Sequence, residues 1–356
     1  MAEGAFLTVS AQVAEHLRVK ILRGHWKETV PGIHQLAQEL GVNRKTVEAA
    51  FRQLEREGLL AGQGAGRKRR IALPTAGSAA HPLRVAILLG QPADRKLDYL
   101  IELQHGLIEA GHVASFAIAT MLDLEMNPMR VGRLVEKTSA DAWVVTGGSR
   151  EVLEWFAKRE IPVFALAGRR RGLPIAGGGP DKVSVLTTVM SRFFELGHQR
   201  IVLLVRPRRR LPEPGAFERA FLAELQARDI PTGAYNLPDW NETVEGFHAC
   251  LDSLFQVTPP TALIIDEPTL FAAAQQFLAR QGLRVPEDVS LVCTDPDPTF
   301  EWCKPTIAHI HWDSRPLARR IVRWAANVSC GKEDLRQTST QAGFVAGGTI
   351  GPVPRG

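Results

Sequence analysis

The sequence predicts an α/β protein: an N-terminal winged helix-turn-helix followed by a core built on mostly parallel sheet. Three observations carry this. Residues 1–73 hold helical apolar stripes and twelve of the 43 Lys/Arg against seven of the 38 acidic residues. The formal excess of +5 therefore lies wholly in that segment, which suits contact with a polyanion. From residue 84 onward short apolar runs alternate with helical stretches, the pattern of strand–helix–strand crossovers. Between the two regions, residues 74–82 (PTAGSAAHP) are small, Pro/Gly-containing and without periodicity, as in a linker.

In the first segment Val13, Leu17 and Ile21 recur at four-residue spacing, predicting a helix over 10–23. Ile33, Leu36, Ala37 and Leu40 make the stripe of a second, short helix that stops at Gly41. Asn43 suits the N-cap of a third, which buries Val47, Ala50, Phe51 and Leu54 and ends at Gly58. Two short helices joined by a tight glycine turn form a helix-turn-helix, whose second helix enters the major groove. Its solvent face carries Arg44, Lys45, Glu48 and Arg52, beside Asn43 and Thr46. Leu59–Ala61 and Ile71–Leu73 read as strands of a hairpin wing around Gly64 and Gly66. The tetrad Arg67-Lys68-Arg69-Arg70 lies on that wing. Strand alternation puts Lys68 and Arg70 on one face and Arg67 and Arg69 on the face of Ile71. An isolated charge run is usually a solvated surface; after a helix-turn-helix it reads as a DNA contact through Arg67, Lys68 and Arg70.

These residues resemble the winged helix-turn-helix of the GntR family of bacterial regulators. The match rests on Leu36-Ala37, Leu40-Gly41-Val42, Arg44, Thr46-Val47, Ala50, Leu54-Glu55, Glu57-Gly58-Leu59 and Gly64/Gly66. Many members have Arg where this chain has Glu48. A carboxylate does not neutralise a phosphate, but it can accept from cytosine N4.

In the core, strands are expected over 84–90, 113–119, 142–148, 162–168, 200–205, 261–266, 289–295 and 306–312. Helices are expected over 99–110, 183–196 and 216–228. Ligands of such sheets bind beyond the carboxyl ends of the strands. Those ends include Gly90-Gln91, Gly168-Arg169, Arg206, Asp266-Glu267, Asp295 and Trp312. Gly177-Gly178-Gly179 reads as a flexible loop rather than an anion cradle. His309 and His311 share a strand face without metal-ligand spacing, so packing is the better reading, and no metal or cofactor is expected. No G-x-S-x-G, P-loop or G-x-G-x-x-G after a strand occurs, which speaks against the rival reading of an α/β hydrolase or transferase with a regulatory head.

Residues 83–350 resemble the effector-binding core of LacI/GalR repressors, which is built like a two-lobed periplasmic sugar-binding protein. The match is most specific over Glu195–Ile201 (ELGHQRI) and Gly282–Ser290 (GLRVPEDVS), supported by Ile161-Pro162-Val163 and Gly172-Leu173-Pro174. A GntR-type head on this core is known from arabinose-type repressors. The resemblance puts Asp295 where the family binds sugar hydroxyls and Glu267 where it has Asn or Asp. It also puts Ala167-Gly168 in place of an Asp-Arg, Phe217 in place of a ligand-gripping Arg, and Trp312 in place of a late polar residue. Phe217 and Trp312 serve equally as ring-stacking or packing residues. Arg169 is a candidate for the lost cation, and Gln91 and Tyr99 complete the candidate effector set.

The implied protein is a DNA-binding regulator, a repressor by resemblance. It would bind a pseudo-palindromic operator as a homodimer and answer to a sugar-like small molecule. Residues 351–356 read as a C-terminal tail. Four scattered cysteines without CxxC spacing, no apolar run long enough to span a membrane and no leader pattern suit a reduced cytoplasmic protein.

Overall fold

The computed structural model describes residues 8–22, 25–26, 28–56, 59–62, 68–71, 81–210 and 212–354. They fall into two compact units, divided at Leu83/Arg84, with Ala325–Glu333 grouped with the N-terminal unit.

The N-terminal unit contains helices α1 (Val9–Leu22), α2 (Ile33–Glu39) and α3 (Arg44–Arg56). The expected stripes are its core: Val13, Leu17, Ile21, Leu36, Val47, Ala50, Phe51 and Leu54 are all buried in one cluster. Gly41 turns the chain between α2 and α3 at φ +63°, a left-handed conformation that Gly adopts without strain. Asn43 caps α3, its Oδ1 accepting from the Lys45 amide at 2.9 Å. Strands β1 (Leu60–Ala61) and β2 (Arg70–Ile71) pair antiparallel, with Leu60 opposite Ile71. The wing is broader than a hairpin. Thr29 bridges Arg70, the Ile71 amide donates to Glu28 O and the Val30 amide to Arg69 O. Gly58, the wing turn with Gly64, Gly66 and Arg67, and linker positions 74–80 lie outside the described residues.

The second unit is built on two sheets. Its first half runs β3 (Arg84–Leu88), α4 (Asp98–Glu109), β4 (Val113–Phe116), α5 (Pro128–Lys137), β5 (Ala142–Thr146), α6 (Arg150–Ala157), β6 (Val163–Leu166) and β7 (Ala176–Pro180). It continues through α7 (Lys182–Glu195), β8 (Ile201–Leu204), α8 (Pro207–Arg210), α9 (Ala216–Gln226), α10 (Val244–Val257), β9 (Ala262–Ile265), α11 (Pro268–Arg280) and β10 (Ser290–Cys293). It closes with β11 (His309–Trp312), α12 (Arg315–Ser329), β12 (Gln337–Thr340) and β13 (Ala342–Val345). The first sheet, in the order β12-β7-β6-β5-β3-β4, is parallel throughout. The second, β13-β11-β10-β9-β8, is parallel except for its edge strand β13. The central strands are buried end to end, as expected where helices cover both faces.

One expectation is corrected. Gly177-Gly178-Gly179 is not a loop but the middle of β7, paired on both sides. Close approach excludes side chains there: a Cβ on Gly177 would lie 3.0 Å from Ala165 O, and one on Gly178 would collide with Leu317 Cδ1. Such a strand has no side-chain alternation for sequence reading to detect.

The two most specific sequence segments of the core meet in one buried polar knot. His198 Nδ1 lies 2.9 Å from Thr261 Oγ1, and its Nε2 lies 2.9 Å from Gly351 O and 3.2 Å from Ser290 Oγ. Residues expected as a tail are therefore engaged from their start, and the Val353 amide also donates to Leu196 O.

Candidate functional site

Arg44 and Lys45 stand exposed in the first turn of α3. Glu48 and Arg52 are paired one turn apart at 3.1 Å, with both side chains mostly in solvent. Thr46 is half-buried, and Asn43 spends its oxygen on the helix cap. On the wing, Lys68 and Arg70 are exposed, whereas Arg69 turns inward. Its guanidinium lies 5.0 Å from the centre of the buried Phe51 ring, and Nε donates to Glu55 at 3.1 Å. Lys68, Arg69 and Arg70 thus alternate outward, inward and outward. Lys68→Ala or Arg70→Ala should each reduce the salt slope of DNA binding by about one unit. Arg69→Ala should leave the slope unchanged and lower the melting temperature of the protein. Anisotropy titrations at several salt concentrations, with thermal unfolding alongside, check both outcomes.

In the core the candidate residues gather where the carboxyl ends of the two sheets face each other. Gln91 follows β3 and Tyr99 opens α4, both in the six-stranded lobe. Glu267 follows β9, Asp295 follows β10, and Trp312 ends β11, all in the five-stranded lobe. The Tyr99 and Trp312 rings meet edge to face at 5.4 Å. Trp312 Nε1 donates to Asp295 Oδ1 at 3.3 Å, and Gln91 Nε2 donates to Glu267 at 3.4 Å.

Three cations complete the cluster: Arg206, named from the sequence only as a strand end, and Lys182 and Arg209, which the sequence did not single out. Lys182, the first residue of α7, places Nζ 2.7 Å from both Asp295 oxygens. Arg206 donates to Glu267 through Nε at 2.9 Å and Nη2 at 2.5 Å, and to Gln91 Oε1 at 3.2 Å. Arg209 bridges Asp266 at 2.9 Å and Glu267 at 3.1 Å. Glu267 holds this position with φ at +60°, a strained conformation for a residue with a side chain. Burial pushes the Glu267 carboxyl above its ordinary value despite both arginines. For Asp295 burial also acts upward, but the Lys182 charge and the hydrogen bonds from Lys182 and Trp312 win, and its pKa is lowered. Burial raises the Tyr99 hydroxyl, helped by Asp94 and Asp295.

The other two candidates lie elsewhere. Arg169 Nη1 donates to the carbonyls of Arg210 at 3.2 Å and Glu213 at 2.6 Å, a second polar link between the lobes. Phe217 packs against the apolar core of the five-stranded lobe. His309 lies against Phe300, with Nδ1 2.9 Å from Ile307 O, while His311 is exposed. Among the described residues no group of three or more His, Cys, Asp or Glu is placed to hold a metal ion. No described helix is long and apolar enough to cross a membrane.

Residues 9–66 match the family model described as bacterial regulatory proteins, gntR family, and residues 190–349 match the periplasmic binding protein-like domain. Comparison with curated proteins finds no match. Several solved structures share the fold. The transcription regulator CcpA of Lactococcus lactis superposes with TM-score 0.64 at 13% identity, over 76% of this chain and 100% of that one. A cellobiose complex of the regulator CelR gives 0.61 at 18%, over 90% and 100%. A ribose-bound LacI family regulator from Enterococcus faecium gives 0.60 at 16%, over 76% and 99%. The chain thus joins a DNA-binding domain of the gntR family at residues 9–66 to a periplasmic binding protein-like domain at residues 190–349, within a core that shares its fold with LacI family regulators.

Proposed function

We propose that the protein is a cytoplasmic repressor that binds a pseudo-palindromic operator as a homodimer and is controlled by a sugar or related metabolite held between the two lobes. Its role is regulatory rather than catalytic. The observation that carries this is the arrangement of the cleft. Gln91 from one lobe and Arg206, Glu267 and Trp312 from the other meet in one polar and aromatic cluster. A ligand entering there must exchange contacts with both lobes at once, so its binding energy is coupled to their relative pose. The solved relatives support the class of ligand: structures of this fold hold ribose, D-xylulofuranose and cellobiose. A lac repressor dimer of the same fold is bound to operator. In the N-terminal domain Arg44 and Lys45 take the groove-facing role, with Arg52 held by Glu48. Lys68 and Arg70 neutralise phosphates.

Two linked measurements test the reading. Genomic fragments retained by the purified protein at near-physiological salt should share an inverted repeat. A sugar that raises its melting temperature should also change affinity for that repeat, and Asp295→Ala, though less stable for want of its pair with Lys182, should lose both responses. Diffuse retention that fades with salt removes operator recognition. A full thermal response in Asp295→Ala removes the cleft assignment.

A further inference from the structure

Arg170 differs from the half-buried guanidinium groups of the core that carry an ion pair. Arg84 is paired with Asp141, Arg206 with Glu267 and Arg320 with Asp334, and Arg320 also lies over the Phe164 ring. Among the described residues Arg170 has neither a carboxylate nor a ring. Its Nη2 donates to Thr338 O at 3.3 Å, and its buried Nε has no hydrogen-bond partner. The side chain lies along the bare face of β7: a Cβ on Gly177 would fall 3.0 Å from Nε, and one on Gly179 would fall 3.4 Å from Nη1. Burial and the adjacent Arg171 lower the pKa of Arg170, the sign of a cation lacking its counter-charge.

The neighbouring strand adds a donor. Ser339 pairs with Gly179 in the parallel ladder, so its side chain leaves the sheet on the same face as Arg170. It is exposed, and its hydroxyl makes no hydrogen bond among the described residues. On that face, a Cβ on Gly179 would also lie 3.3 Å from Ala167 Cα. Gly179 is three residues before Lys182, which holds Asp295 in the cleft.

We propose that Arg170 and Ser339, over the floor formed by Gly177 and Gly179, bind an oxyanion, and that this is the carboxylate or phosphate of an acidic effector. The inference rests on reading the cleft as the effector site, and it replaces a neutral sugar by a sugar acid or sugar phosphate. A guanidinium supplies paired donors to either group, and a serine hydroxyl adds a third. An undercompensated buried charge costs stability until an anion arrives.

Thermal unfolding of the full chain in chloride buffer tests this, with inorganic phosphate, gluconate, glucose 6-phosphate and glucose added at matched ionic strength. The oxyanions should raise the melting temperature of wild type and leave that of Arg170→Met unmoved. Response to gluconate alone identifies a carboxylate; response to the phosphates identifies a phosphoryl group. In chloride alone Arg170→Met should be at least as stable as wild type. Ser339→Ala should weaken the anion response about tenfold, the worth of one charge-assisted hydrogen bond. A wild type unmoved by any oxyanion overturns the proposal. So does an Arg170→Met variant that is destabilised in chloride yet keeps the anion response. A shift with glucose that Asp295→Ala abolishes and Arg170→Met retains leaves the cleft as effector site and removes the anion from it.

Discussion

Lys182→Met is expected to lower the unfolding free energy by about 3–5 kcal/mol, the usual result of stripping one partner from a buried ion pair. Both side chains of the Lys182–Asp295 pair are 23% exposed, so solvent repays little of the lost contact. Asp295 would keep Trp312 Nε1 at 3.3 Å and share the single proton of the Thr294 hydroxyl, 3.2 Å away, with Asp266 at 2.9 Å, too little for a carboxylate held away from water. The double variant Lys182→Met/Asp295→Asn removes both charges and should recover most of the loss. Urea unfolding of the four proteins in the cycle measures the coupling. A single variant within about 1 kcal/mol of wild type would place the pair with ordinary surface ion pairs.

The same pair sets an acid limit. The Asp295 pKa is lowered in the folded state, so its contribution is complete above the ordinary carboxylate value of about 4 and is lost as pH falls through the folded value. Glu267, whose pKa is raised, acts in the opposite sense: its ionised form costs stability near neutrality, and the cost vanishes on protonation. The double variant keeps Glu267 and lacks Asp295, so wild type should lose stability more steeply below about pH 4 than the double variant does.

Arg44→Ala should weaken operator binding by about 1–3 kcal/mol, or about five- to 150-fold, and relax preference at the base it meets. Arg44 is exposed in the first turn of α3, the part of a recognition helix that faces base edges. It packs against none of the buried stripe, so the melting temperature should hold, and so should the effector response. Anisotropy titrations against the retained repeat and against single-base variants of it read both affinity and preference. Unchanged affinity and preference would take Arg44 out of the recognition surface and leave Lys45 and Arg52 as its basic readers.

Much of this was legible in the chain itself because it was written as period and punctuation. The stripe Val13-Leu17-Ile21, the glycine turn at Gly41 and the Asn43 cap all act within a few residues of themselves. The tetrad's division into outward Lys68 and Arg70 and inward Arg69 followed from strand alternation alone. The third wing segment, Glu28–Val30, was not legible, because it is defined by a partner forty residues away. Nor was β7, whose glycines carry no side chains to alternate. In the cleft, sequence position indicated the strand ends but not the cations. Lys182 follows that silent strand, and Arg206 and Arg209 sit in a basic run that looks like any solvated patch. A usable signal did exist. A basic run directly after one parallel strand, with Asp266-Glu267 directly after its neighbour in the sheet, brings opposite charges to the same edge.

Both sheets are finished by the last strands of the chain. β12 closes the first at residues 337–340, and β13 closes the second at 342–345, with Gln341 alone between them. During synthesis the core therefore keeps an unpaired edge on each sheet until residues 337–345 have been made and have emerged from the ribosome. Partners along those edges, β7 and β11, wait through that interval with unpaired backbone. Chains that stall or terminate early in this stretch lose an edge from both lobes rather than a tail from one. Neither lobe can be moved into another protein as a single continuous piece of gene.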